Sequence, residues 1–341
     1  MHESERALMK WLKWLSVVVG SLAALVLVGG AIYQAISESR DLARFPAPGR
    51  LVEVDGSLMH IDCRGLGSPT VVVELGLGAV ASSWDEIHQQ MAPVTRVCLY
   101  DRAGLGYSEP IDHSTRAPEV AERLHRLLGN AELGDDLILV GWSAGGIYAR
   151  EFYRLYPERV RAMLLVDSSH EQQAKRLPAS AGEGGDSAMK IARYLAPLGL
   201  VRLSGLVKAR FESFRGPDEL RARLIALYEQ SHVVGTMLGE SDAFNYDIDG
   251  DPPTSLGDIP LIVLSQGVPI DTSEPTSSEE LEFLEREREV RVELQRELTS
   301  LSTRGKQIIA AESGHAIQFD QPELLIESIE ELVQVVRSEH D

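Results

Sequence analysis

A serine enclosed by glycines at the end of an apolar run is the feature that most constrains how this chain folds. Residues 141–146 read Gly-Trp-Ser-Ala-Gly-Gly, directly after a short apolar run and directly before a helical pattern. A strand that turns abruptly into a helix holds its turn residue in strained backbone angles, and side chains on the neighbours would collide there. Gly141 and Gly145 therefore predict a sharp turn that lifts the Ser143 hydroxyl clear of a sheet.

Short apolar runs alternate with helical patterns from residue 50 onward, which is typical of an α/β fold with a mostly parallel sheet. The first two runs are joined by an Asp-Gly-Ser turn and are predicted to form a hairpin, whereas helical patterns separate later runs. Eight strands are predicted, at residues 51–54, 58–63, 70–75, 96–101, 137–141, 162–167, 261–266 and 307–311.

A long interval, residues 168–258, lies between the sixth and seventh predicted strands. A single crossover needs far fewer residues. Helical patterns within the interval predict a helical cap over the sheet edge at which ligands of open α/β sheets bind. The α/β core is then predicted to comprise residues 50–167 and 259–338.

The N-terminus is predicted to hold a transmembrane anchor at residues 14–37, which carry no charge and are mostly apolar. A helix of that length covers the roughly 30 Å hydrocarbon core of a bilayer. Residues 1–13 form a short segment before the span, and residues 38–49 a linker after it. A cleaved signal peptide and a buried core helix are the alternatives, although the apolar stretch is longer than a signal peptide usually has.

Lysines immediately before the span favour the N-terminus on the cytoplasmic side and the large domain outside.

The charge balance excludes nucleic acid as an expected partner. The chain of 341 residues has 33 Lys and Arg against 52 Asp and Glu, a net charge of -19, and such a chain repels phosphate backbones. A membrane is the expected partner, and the oligomeric state is left open.

Four separated stretches of the chain resemble the α/β-hydrolase family with a serine nucleophile. In order they read VVVELGLGAVASSWDEI, RVCLYDRAGLGYSEP, GWSAGG and ESGHAIQFDQPE, and the resemblance covers roughly residues 50–337. It implies the α/β-hydrolase fold, a helical cap, and a catalytic triad in the chain order serine, acid, histidine. Ser143 is then the expected nucleophile, and a serine at this position argues against epoxide or haloalkane chemistry through an enzyme ester.

A serine hydroxyl needs a base that accepts its proton and a third group that orients the base. His315, in the loop after the last predicted strand, is the expected base, and His170, just past the sixth strand, is the alternative. Asp271, in the loop after the seventh strand, is the expected acid. Asp167, at the end of the sixth strand, and Glu274 are the alternative acids.

The resemblance also implies an oxyanion hole formed by the backbone N–H groups of Leu77 and Ala144. The sequence has no ligand spacing typical of zinc, phosphate or dinucleotide sites, so neither a cofactor nor a metal is expected. The predicted activity is hydrolysis of a carboxylic ester through an acyl-enzyme, so a small acyl substrate is the second expected partner besides the membrane. Hydrolysis of an amide or N-terminal peptide bond, a lactone or a carbon–carbon bond is an alternative on the same triad, and a ligand-binding protein without turnover is another.

The two cysteines, Cys63 and Cys98, lie in the second and fourth predicted strands. These strands are neighbours in the strand order that the resemblance implies, so the two thiols can face each other. A disulfide and two buried free thiols are both compatible with the sequence. The outcome depends on the orientation of the anchor, because a disulfide persists only outside the cytoplasm.

Overall fold

The computed structural model describes residues 2–111, 115–177, 184–214, 216–248, 251, 254–268 and 277–339. The strands in this part of the chain are β1 (Arg50–Val54), β2 (Ser57–Arg64), β3 (Thr70–Glu74), β4 (Val97–Tyr100), β5 (Leu137–Trp142), β6 (Val160–Val166), β7 (Leu261–Gln266) and β8 (Gly305–Ala310). The α-helices are α1 (His2–Arg44), α2 (Asp85–Met91), α3 (Ala117–Asn130), α4 (Gly145–Leu155), α5 (Gln173–Arg176), α6 (Gly184–Leu195), α7 (Leu200–Ser204), α8 (Leu206–Arg210), α9 (Asp218–Tyr228), α10 (Val233–Asp247), α11 (Ser278–Thr299), α12 (Ile317–Asp320) and α13 (Pro322–Ser338). Short 3-10 helices span Ala81–Trp84, Pro157–Arg159 and Ala196–Leu198.

The described strands form one sheet in the order β1-β2-β4-β3-β5-β6-β7-β8. The pairs β1/β2 and β2/β4 are antiparallel, and every later pair is parallel. The predicted eight-stranded, mostly parallel sheet is therefore confirmed, with each strand end within two residues of its predicted position.

The central strands are apolar along their whole length because helices cover both faces of the sheet. Every residue of β3 is buried. Val71 and Val73 pack in the core on one face with Trp84 and Ile329, whereas Val72 packs in the core on the other face. A parallel strand buried on both faces has a continuous apolar sequence rather than an alternating one.

The cap prediction is confirmed: helices α5 to α10 lie between β6 and β7. The N-terminal helix α1 is longer than the predicted span. Its stretch Leu8–Arg44 is long and apolar enough to cross a membrane: the most apolar 18 residues have a mean hydropathy of 2.4, and none of them is buried. That exposure excludes a buried core helix. Residues 38–44, predicted as part of a linker, continue the helix.

Cys63 and Cys98 are directly opposite each other in the antiparallel pair β2/β4, with their Cα atoms 4.0 Å apart. The two residues form a disulfide. Of the two arrangements that the sequence allows, the structure has the bridge.

Candidate active site

Ser143 occupies a sharp turn between the end of β5 and the start of α4. Its φ of 56° lies in the left-handed region, which is strained for a residue with a side chain. A Cβ atom at Gly145 would lie 2.1 Å from the carbonyl oxygen of Glu74, and one at Gly141 would lie 2.6 Å from the Cα atom of Gly146. The glycines are required because the turn packs directly against neighbouring backbone.

His315 is paired with Asp167. The Nδ1 atom of His315 lies 2.6 Å from Oδ2 of Asp167, and the other carboxylate oxygen, Oδ1, accepts a hydrogen bond from the backbone N–H of Gln266 at 3.2 Å. Asp167 follows β6 and also has a left-handed φ, of 38°. Its side chain is 7% exposed and that of His315 is 49% exposed, so a fixed carboxylate holds a histidine that solvent and substrate can reach.

The other candidate acids, Asp271 and Glu274, lie outside the described residues. The contact with His315 favours Asp167, the acid that the sequence gives as an alternative. Asp167 and the loop after β7 lie at the same sheet edge, because β6 and β7 are parallel neighbours. Sequence order alone therefore does not show whether a carboxylate after β6 or one after β7 is the partner of His315.

The alternative base, His170, lines the same cavity as Ser143. Its Nδ1 atom accepts the backbone N–H of Gln172 at 3.0 Å, and its Nε2 atom lies 3.6 Å from Glu297. Burial lowers the pKa of His170. The histidine that contacts the Asp167 carboxylate is His315.

Contacts with the nucleophile turn hold the His315 loop. The indole N–H of Trp142, the residue before the nucleophile, donates a hydrogen bond to the carbonyl oxygen of His315 at 2.9 Å. The rings of Trp142 and His315 have centroids 5.4 Å apart. On the other side of the loop, the backbone N–H of Gly314 donates to Oδ2 of Asp320. His315, the candidate base, is thus tied to the same turn that carries Ser143, the candidate nucleophile.

A cavity of about 780 Å³ contains the candidate triad, and its size is typical of a site for a small molecule. Ser143, Asp167, His315 and Leu77 line it together. The rest of the lining comes from the cap, the loop after β6, helix α11, and β7 and β8, and includes Gln173, Leu177, Phe244, Leu284, Arg288, Arg291 and Gln295.

The expected oxyanion donors lie next to the nucleophile. Ala144 follows Ser143 and is fully buried at the start of α4. Leu77 lines the cavity from the loop after β3, where a Cβ atom at Gly76 would lie 3.1 Å from the Cβ atom of Ser143. Within the described ranges, neither the Leu77 nor the Ala144 backbone N–H donates a hydrogen bond. Both are thus available for an oxygen that gains negative charge.

An ion pair between the core and the cap fixes the loop that carries Leu77. Arg102 donates hydrogen bonds to the carbonyl oxygens of Leu75 and Gly76, each at 2.7 Å. Its Nε atom donates to Oε1 of Glu240 at 2.7 Å, and Oε2 of Glu240 accepts the backbone N–H of Gly78 at 2.8 Å. We call Arg102 and Glu240 the loop clamp. It was missed by sequence reasoning because 138 positions separate its members, although Arg102 lies in one of the family-like stretches.

Glu74, the last residue of β3, lies under the same loop and is fully buried. Its Oε1 atom accepts a hydrogen bond from the Tyr100 hydroxyl at 2.6 Å, and Oε2 lies 3.9 Å from the Arg102 guanidinium. Burial raises the pKa of Glu74 to about 7, against the lowering effects of Arg102 and of the Tyr100 hydrogen bond. Arg102 already neutralises Glu240, so a charge on Glu74 would give the cluster an uncompensated negative charge.

Comparison with known proteins places this arrangement in a family. The pattern of the Alpha/beta hydrolase family matches residues 71–328. An uncharacterised Bacillus subtilis protein, YbdG, is 31% identical over 167 residues, and the match covers 47% of this chain and 51% of that protein. The match thus spans about half the length of that relative. An AB hydrolase superfamily protein of Gibberella zeae is 26% identical over 287 residues, which cover 79% of this chain and 87% of the relative.

Solved structures show the same fold. A thermophilic esterase from Thermogutta terrifontis, with malate bound, has a TM-score of 0.55 at 18% identity and covers 84% of this chain and 98% of its own. Est816, described as an N-acyl homoserine lactone degrading enzyme, has a TM-score of 0.56 at 18% identity and covers 82% and 98%. The family pattern spans well over half of the chain, so the chain belongs to the alpha/beta hydrolase family.

Proposed function

We propose that this hydrolase cleaves a carboxylic ester through an acyl-enzyme, with Ser143 as nucleophile, His315 as base and Asp167 as orienting acid. The observation that carries the proposal is the 2.6 Å contact between His315 Nδ1 and Asp167 Oδ2 in a cavity that Ser143 also lines. A carboxylate on Nδ1 keeps the proton of the neutral imidazole on that nitrogen, which leaves the Nε2 lone pair to accept a proton.

The proposed reaction gives each of these groups one role. Nε2 of His315 accepts the Ser143 hydroxyl proton while Oγ bonds to the ester carbonyl carbon, and the carbonyl oxygen becomes an oxyanion held by the N–H groups of Leu77 and Ala144. The carbon–oxygen bond to the alcohol breaks, and the His315 imidazolium gives the proton to the leaving alcohol. A water molecule repeats the cycle on the acyl-enzyme, since His315 takes its proton and then returns one to Ser143.

A fluorophosphonate probe tests this function, because its phosphorus reacts only with an activated serine. We expect the full-length protein to react and to lose turnover of short chromogenic esters in parallel, and we expect the Ser143→Ala variant not to react. Ser169 lines the same cavity, so Ser169→Ala is the matched control and should react like the unmodified protein. Equal labelling of the Ser143→Ala variant would refute the assignment.

Lactone hydrolysis is a second candidate function, supported by the description of Est816 as a lactone-degrading enzyme. A lactone is a cyclic ester, so the same triad opens it and the alcohol stays attached to the acid product. Acid release from matched linear and cyclic esters of equal chain length separates the two functions. Faster turnover of the cyclic ester would favour lactone hydrolysis.

We also propose that α1 anchors the enzyme in a membrane with the hydrolase domain outside the cytoplasm. The exposed apolar surface of α1 supports the anchor, and the Cys63–Cys98 disulfide supports an oxidising compartment. The intact mass of membrane-extracted, non-reduced protein tests both. It should include residues 1–37 and should not change on treatment with an alkylating reagent under denaturing conditions. A mass lacking those residues would favour a cleaved signal peptide, and two alkylated cysteines would contradict the location.

A further inference from the structure

One part of the cap has a charge opposite to that of the whole chain. Residues 187–211, which we call the basic cap segment, contain five Lys and Arg residues and no Asp or Glu, in a chain with a net charge of -19. The segment runs from α6 through α7 and α8. Its basic residues are Lys190, Arg193, Arg202, Lys208 and Arg210.

Large apolar side chains of the same segment are exposed. Ile191, Tyr194, Leu203 and Leu206 are between 61% and 69% exposed. The basic residues Lys190, Arg193, Lys208 and Arg210 between and beside them are exposed as well. Exposed apolar and basic side chains in one segment are typical of a surface that lies in the headgroup region of a bilayer.

The basic cap segment packs on α1 within the apolar stretch of that helix. A Cβ atom at Gly30 would lie 2.4 Å from the carbonyl oxygen of Leu198, and one at Gly199 would lie 2.8 Å from the Tyr33 ring. These approaches are so close that the cap and this turn of α1 are in direct contact. The cap therefore meets α1 within the stretch predicted to span a membrane.

The length of α1 places this contact at the membrane boundary. Lys13 is the last charged residue before the apolar stretch. Residues 14–29 rise about 24 Å, less than the roughly 30 Å thickness of the hydrocarbon core. The remaining few ångströms of hydrocarbon must therefore surround the turn of α1 on which the cap packs.

Polar contacts one to three turns further along α1 fix the orientation of the cap. The buried Gln34 side chain donates a hydrogen bond to the carbonyl oxygen of Glu229 at 2.7 Å. Arg202 pairs with Asp41 at 2.6 Å and with Glu229 at 3.0 Å. Arg202 is thus used within the protein, whereas the other four basic residues of the segment are exposed.

We infer that the basic cap segment lies in the interfacial region of the bilayer that α1 spans. Ile191, Tyr194, Leu203 and Leu206 enter the boundary between headgroups and acyl chains, and the exposed Lys and Arg side chains bind anionic phospholipid headgroups. This inference rests on the proposed membrane anchor. It gives the enzyme a second membrane contact and a fixed orientation on the bilayer surface.

A spin label at position 203 tests the inference in the full-length protein reconstituted into vesicles of phosphatidylcholine and phosphatidylglycerol. Both native cysteines are in the disulfide, so a Leu203→Cys variant takes one nitroxide under non-reducing conditions. The measurement is the ratio of collision rates with oxygen, which concentrates in lipid, and with a water-soluble nickel chelate. Val26→Cys, in the exposed apolar part of α1, is the lipid reference, and Leu66→Cys, 82% exposed on the α/β core, is the water reference.

We expect the ratio at position 203 to be severalfold higher than at position 66 and to approach that at position 26. A ratio at 203 equal to that at 66, with position 26 in lipid, would overturn the inference and leave the anchor standing. Water-like ratios at both 26 and 203 would overturn the anchor and the inference together. Protection of position 203 from both reagents would indicate a protein partner, such as a second copy of this chain, and would overturn the lipid assignment.

A second measurement tests the contact between the basic side chains and the anionic headgroups. The ratio at position 203 should fall when phosphatidylglycerol is left out of the vesicles, and the added substitutions Lys190→Glu and Lys208→Glu should remove that dependence on lipid charge. A ratio that does not change with lipid charge would overturn the binding of anionic headgroups. Retained ester turnover in each labelled variant shows that the α/β core is folded.

Discussion

The oxyanion side and the acid–base side of the candidate site are held in different ways. On the oxyanion side, the Arg102 and Glu240 side chains of the loop clamp are 7% and 1% exposed and tie core, loop and cap together. On the acid–base side, the His315 side chain is 49% exposed and contacts Asp167, and the His315 carbonyl oxygen accepts a hydrogen bond from the Trp142 indole. The loop that carries Leu77 is therefore held by buried side chains, whereas His315, the proposed base, lies open to the cavity.

This difference fits what each side has to do. Backbone dipoles lower a barrier most when they are fixed before the reaction and shielded from water. A base must exchange protons with both the serine and an incoming water molecule, so it needs access. Substitutions on the two sides should therefore have different effects on catalysis, and we expect the variants below to show this difference.

Ser143→Ala should have the largest effect, because it removes the nucleophile shared by both sides. We expect turnover of a short acyl ester to fall on the order of 10³-fold or more. The thermal midpoint should stay close to that of the unmodified protein, since no hydrogen bond depends on the lost oxygen in the described part of the chain. Steady-state kinetics with the Ser169→Ala control measures the effect, and near-normal turnover by Ser143→Ala would contradict the proposal.

Asp167→Asn should come next, because the amide no longer fixes the proton on Nδ1 of His315. We expect a loss of about 10²- to 10⁴-fold in kcat. Asp271→Asn is the matched control, since Asp271 is the acid that the sequence favours, and it should change kcat by much less. The reverse order of the two losses would move the orienting acid to the loop after β7.

Glu240→Gln tests the oxyanion side through a residue that positions the loop rather than touching substrate. The change leaves the buried Arg102 charge without its partner and should shift the Leu77 N–H, so we expect kcat to fall about 10- to 100-fold with little change in KM. Asp242→Asn, an exposed site on the same helix, should have no effect. A purely structural role would lower the thermal midpoint but leave kcat per folded molecule unchanged.

Glu74 should make the stability of the protein, rather than its catalytic rate, depend on pH. Its pKa is raised from 4.5 to about 7 in the folded protein, so between these values the folded state binds more protons than the unfolded state. The free energy of unfolding should therefore fall as pH rises from 4.5 to 7 and level off above that, by at most about 3 kcal/mol from this group.

Glu74→Gln should remove that part of the pH dependence. The difference in thermal midpoint between Glu74→Gln and the unmodified protein should be small near pH 5 and should grow towards pH 8 in favour of the variant. Glu132→Gln, at an exposed position, is the control and should shift the curve at no pH. A constant difference across this range would mean that Glu74 is not protonated in the folded state.

Features that depend on local sequence patterns could be predicted, whereas features that depend on contacts between distant residues could not. The eight strands and the nucleophile turn follow from local patterns, since buried strands need continuous apolar runs and the turn needs Gly141 and Gly145. The orienting acid does not, because Asp167 and Asp271 follow neighbouring strands, and the preference for Asp167 rests on its contact with His315 in three dimensions.

Two further features depend on contacts that no local pattern encodes. The loop clamp joins Arg102 to a residue of the cap, and only Arg102 lies in a stretch that resembles the family. Residues 38–44 were predicted as part of a linker because the apolar stretch ends before them. They are helical in the structure, where Asp41 pairs with Arg202 of the cap.

The acyl-enzyme itself gives the most direct test of the central claim. The full-length protein is mixed with a short acyl ester, quenched in acid within the first turnovers, digested and analysed by mass spectrometry. We expect one added acyl group on the peptide that contains Ser143, and its accumulation should be slowed in the Asp167→Asn variant. Turnover of the ester by the unmodified protein with the acyl group on another residue, or with no acylated peptide under conditions that trap the intermediate, would contradict it.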